Sequence, residues 1–333
     1  MTTTSTATTP HDPRPSPGGL AMSATTWVLL VALSVIWGGS YFFIKVAVDD
    51  FQPLTIVLGR VLIAALILNL VILARGQRMP STFAAWRPFI VMSLLNSLIP
   101  YSLIVWGETH IASGLAAILG ATVPIFTIVL AHFLTADEHL TPARVGGVAL
   151  GLLGVIVIMG DALSAIASDN GLAQLAILAA AISYALSGIF GRRLKGTPPL
   201  IAATGQMTSA SIILFPLALL IERPWANATP HLDSVGAVIG LATLCTAIAY
   251  LIFFRILASS GASNVSLVTF LIPVSSLILG ALFLDEAIVP RHLLGMALIG
   301  LAMIAIDNRL AQRWKARRAH VASALAAPER ITS

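Results

Sequence analysis

Apolar positions along this chain come in long runs, and polar residues gather in short breaks between them. Six stretches hold no Asp, Glu, Lys or Arg: 109–136, 145–160, 171–191, 196–221, 234–254 and 256–284. The runs do not alternate apolar with polar, which excludes a transmembrane β-barrel. A helix needs about 20 apolar residues to cross about 30 Å of hydrocarbon. On that measure the pattern predicts ten spans, near 27–46, 54–74, 88–107, 113–134, 143–160, 171–191, 199–221, 234–255, 262–284 and 290–307. The short connections suit a bundle of antiparallel neighbours.

Composition agrees. Only 10% of the 333 residues are charged and 57% are hydrophobic, with a mean hydropathy of +0.93. A soluble globular chain carries about 25% charged residues, and a water-soluble fold of this size could not cover so much apolar surface. The expectation is an all-α integral membrane protein. Residues 1–26, rich in Thr, Ser and Pro without an apolar core, read as a disordered tail and not a signal peptide. Residues 308–333 read as a basic tail.

The net charge of +5 raises nucleic acid as a partner, but no basic patch is interleaved with aromatics. Charge placement instead reads as topology. Fifteen of the 19 Lys and Arg fall on the side that would hold both tails and the loops near 75–87, 135–143, 192–198 and 256–261. Lys45, Arg223 and Arg291 fall on the other side, and Arg60 lies within a span. By the positive-inside rule both termini are then cytoplasmic. The one cysteine, Cys245, permits no intramolecular disulfide and no cysteine-built metal cluster.

The two halves of the chain also resemble each other. Pro124 and Tyr101 pair with Pro273 and Tyr250 at a shift of 149, and Asp137-Glu138 with Asp285-Glu286 at 148. Trp37, Ser40 and Lys45 pair with Tyr184, Ser187 and Arg192 at 147, and Pro53, Gly59 and Arg60 with Pro199, Gly205 and Gln206 at 146. Two repeats follow, 27–160 and 161–307. Each would hold five spans, an odd number, so the second copy enters the membrane inverted relative to the first. Inverted repeats are a known route to alternating access.

The residues that carry a family resemblance are IWGGSYFFIK at 36–45, LGRVLIAALIL at 58–68, and the long run from Ala112 to Ile158 with its acidic pair before a proline. Together they resemble the EamA-type branch of the drug/metabolite transporter superfamily, over about 27–307. The resemblance implies ten helices with both termini inside, a central cavity between the repeats, and export or exchange of small metabolites such as amino acids. Two departures stand out: TADEH becomes LDEAI in the second copy, and Arg60 becomes Gln206.

Candidate site residues follow from chemistry. An arginine deep in a helix costs about 2.5–3.5 kcal/mol on insertion scales, so Arg60 should face the bundle, where it either fixes a substrate anion or pairs structurally. Trp37 and Tyr184 occupy equivalent mid-span places; they line a cavity or pack as core. Tyr101 and Tyr250 form a second such pair. Ser40 and Ser187 suit helix contact more than binding. Asn96 and Gln206 are intramembrane amides in need of partners. Lys45 and Glu108 fall near the outer face, where with Arg60 they could form a gate, and Lys45 could equally snorkel. Pro124 and Pro273 are read as mid-span kinks, either hinges or fixed bends. His132 reads as interfacial.

Apart from Asp307 at the last position of the tenth, no Asp or Glu falls inside an assigned span, so a buried carboxylate relay is not expected. No phosphate-binding loop, HExxH motif or intramembrane acidic pair is present, so the expectation is no cofactor and no catalysis. A multidrug or nucleoside-like transporter of the same fold, and a non-transporting scaffold, stay open. Small-residue spacings at Gly147/Gly151 and Gly236/Gly240 leave homo-oligomerisation open too.

Overall fold

The computed structural model describes residues 23–135, 141–160, 168–226, 229–260 and 268–306. They are helical, without strand. The helices are α1 (Ala24–Ala47), α2 (Pro53–Ala74), α3 (Phe83–Glu108), α4 (Ser113–Leu134), α5 (Pro142–Met159), α6 (Asp169–Leu194), α7 (Pro199–Ile221), α8 (Leu232–Ser259), α9 (Val268–Phe283) and α10 (Pro290–Ile306). Among the described residues eight helices, α1 to α8, are long and apolar enough to cross a bilayer, while α9 and α10 have 16 and 17 residues. The acidic pair Asp137-Glu138 lies outside the described residues.

Outward faces are as apolar as the core. Leu70, Leu220 and Phe133 are at least 65% exposed, while Leu68, Leu214 and Ile125 on the same helices are buried. A helix apolar all round is built for a hydrocarbon surround.

Some helix starts are capped by a short polar side chain of their own. Ser23 accepts from the Thr26 N–H and Ser168 from the Gly171 N–H. Two of the helices that lack such a residue are α2 and α4. Gln52 precedes α2 and Ala112 precedes α4, and neither makes a side-chain cap. Their first-turn N–H groups are satisfied from elsewhere in the chain.

Contacts fix helix directions. Thr55, early in α2, meets Glu222 at the end of α7, while Asn69, late in α2, donates to Thr208 in the middle of α7. The helices α2 and α7 are thus antiparallel. So are α5 and α10: a Cβ on Gly154 would lie 2.9 Å from the Gly295 carbonyl, and one on Gly151 would lie 3.3 Å from Ala302 Cβ. Only glycine permits that approach. Gly236 faces open space.

Two α-helices contain a wider π turn, Leu94–Leu98 in α3 and Thr243–Ile248 in α8. Their first residues are 149 positions apart, the shift that separates Tyr101 from Tyr250. A π turn exposes backbone and often marks a functional site. Here the Ser183 hydroxyl donates to the Leu95 carbonyl at 2.7 Å, satisfying one such group.

Candidate substrate cavity

A cavity of about 630 Å³ lies between the two halves of the chain. Trp37, Ser40, Arg60, Asn96, Tyr101, Tyr184, Gln206 and Tyr250 all line it. Tyr41, Cys245, Phe253 and Phe254 complete much of the wall, and the lining extends to Leu194, Thr197 and Pro199 where α6 gives way to α7. Among the described residues Arg60 is the only charged side chain on this surface.

Arg60 is buried. Its Nε donates to the Thr246 hydroxyl at 3.0 Å, and its guanidinium carbon lies 3.7 Å from the centroid of the Tyr101 ring. Thr246 belongs to the π turn of α8 and donates onward to the Leu241 carbonyl. One neutral hydrogen bond and a cation–π contact position the guanidinium. No carboxylate among the described residues neutralises it. Its remaining donors are the chemistry an anionic ligand would use.

The amides find partners across the same space. Gln206 donates to the Ser97 hydroxyl at 2.7 Å and to the Tyr250 hydroxyl at 3.4 Å. Asn96 donates to Tyr250 at 3.3 Å and accepts from Ser187 at 3.0 Å. Ser40 and Ser187 donate to the carbonyls of Trp37 and Tyr184, three residues earlier. Ser187 so joins the polar network, and Ser40 only back-bonds its own helix. Trp37 packs at a tilt on Phe253, and Tyr101 meets Tyr184 edge-on.

The prolines are placed differently from each other. Pro124 lines the cavity at the start of a new segment, Val123–Leu134, after α4 breaks at Ala121-Thr122. There its missing N–H costs nothing. Pro273 sits inside continuous α9, buried. His132 is half-buried near the end of α4 and outside the cavity wall.

Lys45 and Glu108 lie beyond the cavity wall, and the three-charge gate is not closed by an ion pair. Lys45 Nζ donates to the backbone carbonyls of Glu108 at 2.8 Å, the last residue of α3, and of Ile111 at 3.2 Å, in the connection to α4. A cation at a helix C-terminus is favourable. The Glu108 carboxyl is fully buried, and neither oxygen has a hydrogen-bond partner. The helix reaches one residue further than the sequence pattern suggests, so a buried carboxyl is present after all.

Around the same end of the bundle, acids from the second half cap helices of the first. The Glu222 carboxylate accepts from the Leu54 N–H, the Thr55 N–H and the Thr55 hydroxyl, each at 2.7 Å. Glu286 accepts from the Ser113 N–H at 2.7 Å, the Ser113 hydroxyl at 2.9 Å and the Gly114 N–H at 3.1 Å. These supply the caps that Gln52 and Ala112 do not, on the positive end of each helix dipole. Asp50 adds a third tie, accepting from the His231 backbone N–H at 2.9 Å and lying 2.9 Å from its ring Nδ1. Hydrogen bonding to the Ser234 hydroxyl, the His231 N–H and the His231 ring holds the Asp50 carboxyl down at about 2. The Ser234 hydroxyl also lies 3.2 Å from the Val46 carbonyl. Its hydrogen bond with Asp50 raises the imidazole of His231 in turn.

Comparison with known proteins decides the family. The model of the EamA-like transporter family matches twice, over residues 25–160 and 171–306. The chain belongs to the EamA-like transporter family. "Uncharacterized transporter YoaV" of Bacillus subtilis is 26% identical, covering 81% of this chain and 92% of its own. "Uncharacterized inner membrane transporter YedA" of Escherichia coli strain K12 is also 26% identical, covering 83% and 89%. A Streptantibioticus cattleyicolor protein named "Probable terminal-alkyne amino-acid exporter" is 26% identical over 87% and 95%. A solved crystal structure superposes with a TM-score of 0.61 at 18% identity, covering 85% of this chain and 97% of that one, and shows the shared fold. This EamA-like chain is a multi-pass membrane protein.

Sequence reasoning missed Thr246, Cys245, Ser97 and Tyr41. The first three lie on or beside the two π turns, and the repeat shift that aligns those turns was the available signal. Nor did it find Glu222 and Glu286 as caps, because an acid that caps a helix more than 160 residues away leaves no local pattern.

Proposed function

We propose that this protein is a secondary transporter of the cell (inner) membrane that exports small metabolites, amino acids or related compounds. The two EamA-like segments act as inverted five-helix repeats in a ten-span bundle, with both termini cytoplasmic, and solute moves through the seam between them by alternating access. The antiparallel packing of α2 on α7 and α5 on α10 supports the inversion, since each pair joins corresponding helices of the two segments.

The observation that carries this reading is the cavity itself. Its walls are apolar and aromatic, and a few amides and hydroxyls converge with one unneutralised guanidinium. Such a surface suits a small molecule with an anionic end and an apolar body. Binding of a substrate carboxylate by Arg60 would satisfy the donors that Thr246 leaves unused.

Flux of radiolabelled amino acids from liposomes containing only the purified chain tests the reading. Saturable efflux that disappears in Arg60→Ala supports it. Absence of flux for amino acids and for aromatic or nucleoside-like solutes would instead favour a non-transporting scaffold.

A further inference from the structure

Neither the packing nor the caps of this region explain Glu108. Its carboxyl is 0% exposed and both oxygens lack partners. The neighbouring carboxyls behave differently: Glu222 and Glu286 each accept three hydrogen bonds. An ionised carboxylate placed where Glu108 sits, without a hydrogen bond, carries a penalty of several kcal/mol.

The charged and titratable groups around it are few. Lys45 and Tyr41 face it from α1, Arg60 from α2, and Glu286 from the segment after α9. His110, on its own chain segment, is turned toward Trp106 and Thr109. Lys45 makes no hydrogen bond to the side chain: its ammonium donates to the carbonyls of Glu108 and Ile111 instead. Those two bonds also close the corner between α3 and α4. At the repeat shift of 149 the counterpart of Glu108 is Leu257, so the acid exists at one end only.

We propose that Glu108 is a proton-binding site that latches this end of the bundle. With a proton on the carboxyl, the group is neutral and tolerates a dry pocket, and Lys45 stays on the two carbonyls. When the proton leaves to water on this side, the O–H bond breaks and a carboxylate remains. That carboxylate draws Lys45 off the carbonyls or draws water in, and either event opens the corner. Reprotonation from the same water closes it. The function served, proton-linked access to the cavity, rests on the transporter reading, but the site does not.

Cys245 provides a native reporter. It is the only cysteine of the chain, lines the cavity and is 2% exposed. Intact cells expressing the full chain are treated with a membrane-impermeant maleimide over a range of external pH, with Glu108→Gln cells in parallel. Dividing the wild-type rate by the Glu108→Gln rate removes the thiol's own titration. The ratio is expected to climb with pH, by up to about tenfold per unit for a single proton. A ratio that stays flat overturns the proposal.

Poor expression of Glu108→Gln would not block the test. The wild-type chain has five glutamates, so carbon-13 labelling of glutamate resolves them by NMR in liposomes. One carboxyl should remain protonated at a pH where the others have ionised, and it should persist in Glu286→Gln. Five ionised carboxyls at neutral pH overturn the proposal. Neither readout uses a cargo, so absence of flux for amino acids and for aromatic or nucleoside-like solutes, with both results positive, would reject the transport reading and leave the proton site standing.

Discussion

Where α2 and α4 begin, helix ends are fastened by long-range polar bonds; where α7 begins, the cavity lining reaches the connection instead. Glu222, Glu286 and Asp50 tie the first-mentioned end, joining the two halves of the chain there by charged hydrogen bonds. At the other end Leu194, Thr197 and Pro199 belong to the cavity wall, and no side chain caps α7 behind Pro198. The cause is visible in the repeat. Pro53 and Pro199 begin corresponding helices, but the residue 146 positions before Glu222 is Gly76, which has no carboxylate to offer. Two copies of one module have therefore been given unequal closures. One end is tied across the two halves by hydrogen bonds, and at the other the cavity lining reaches the start of a helix.

The comparison can be broken most severely at its centre. Arg60→Ala should abolish efflux from liposomes, by about 100-fold or more if a charge-assisted contact worth roughly 3 kcal/mol is lost, with surface expression retained. Arg60→Lys should restore only part of it, because a lysine cannot stack its planar fork over Tyr101. Normal flux in Arg60→Ala would remove the guanidinium from the binding role.

The next largest effect is expected at the fastened end. Glu286→Ala leaves two first-turn N–H groups of α4 and the Ser113 hydroxyl without their acceptor, a loss of about 1–3 kcal/mol. The thermal midpoint in detergent should fall, and Cys245 should label faster from the Glu286 side. A similar loss is expected for Glu222→Ala at α2. If neither variant changes Cys245 labelling, the ties are not closures.

A cysteine placed at Gly196 or at His231 sharpens the comparison through its accessibility. Gly196→Cys should react only with reagent applied from the cytoplasm and His231→Cys only from outside. The opposite pattern would invert the orientation.

The smallest effect belongs to the Asp50–His231 contact, which is solvent-exposed and screened by salt. Its sign is fixed by the directions of the two shifts. The Asp50 carboxyl is held down at about 2 from 3.8, so its contribution is present above the unfolded value and fades as pH falls toward about 2. The His231 imidazole is raised from 6.5, so its contribution is full below that value and fades as pH climbs through the raised one. The contact should therefore be strongest in mildly acidic medium. Asp50→Asn should flatten a shallow alkaline loss of thermal midpoint; an unchanged slope would mean the contact contributes nothing measurable.

Long apolar runs made the helices legible, because hydrocarbon-facing segments leave no room for ambiguity of period. The pairing of Arg60 with Gln206 and of Tyr101 with Tyr250 made the cavity residues legible, since corresponding positions in the two segments meet at one seam. The helix end at Glu108 was harder to read. A carboxylate next to a Thr-His pair reads as interfacial, and only packing against α1 and α6 buries it. Caps supplied from a distant segment and π turns were also hidden, because both depend on tertiary partners and not on local preference.

Each π turn holds one residue more than an α turn would, in α3 just before Tyr101 and in α8 just before Tyr250. Successive residues of a helix are rotated by about 100°. Deleting a single residue within Leu94–Leu98 would therefore swing Tyr101, and the rest of that helix as far as Glu108, around its axis by more than a quarter circle. A chain that looks uniform and greasy thus hides two places where residue count, more than residue identity, decides what points inward.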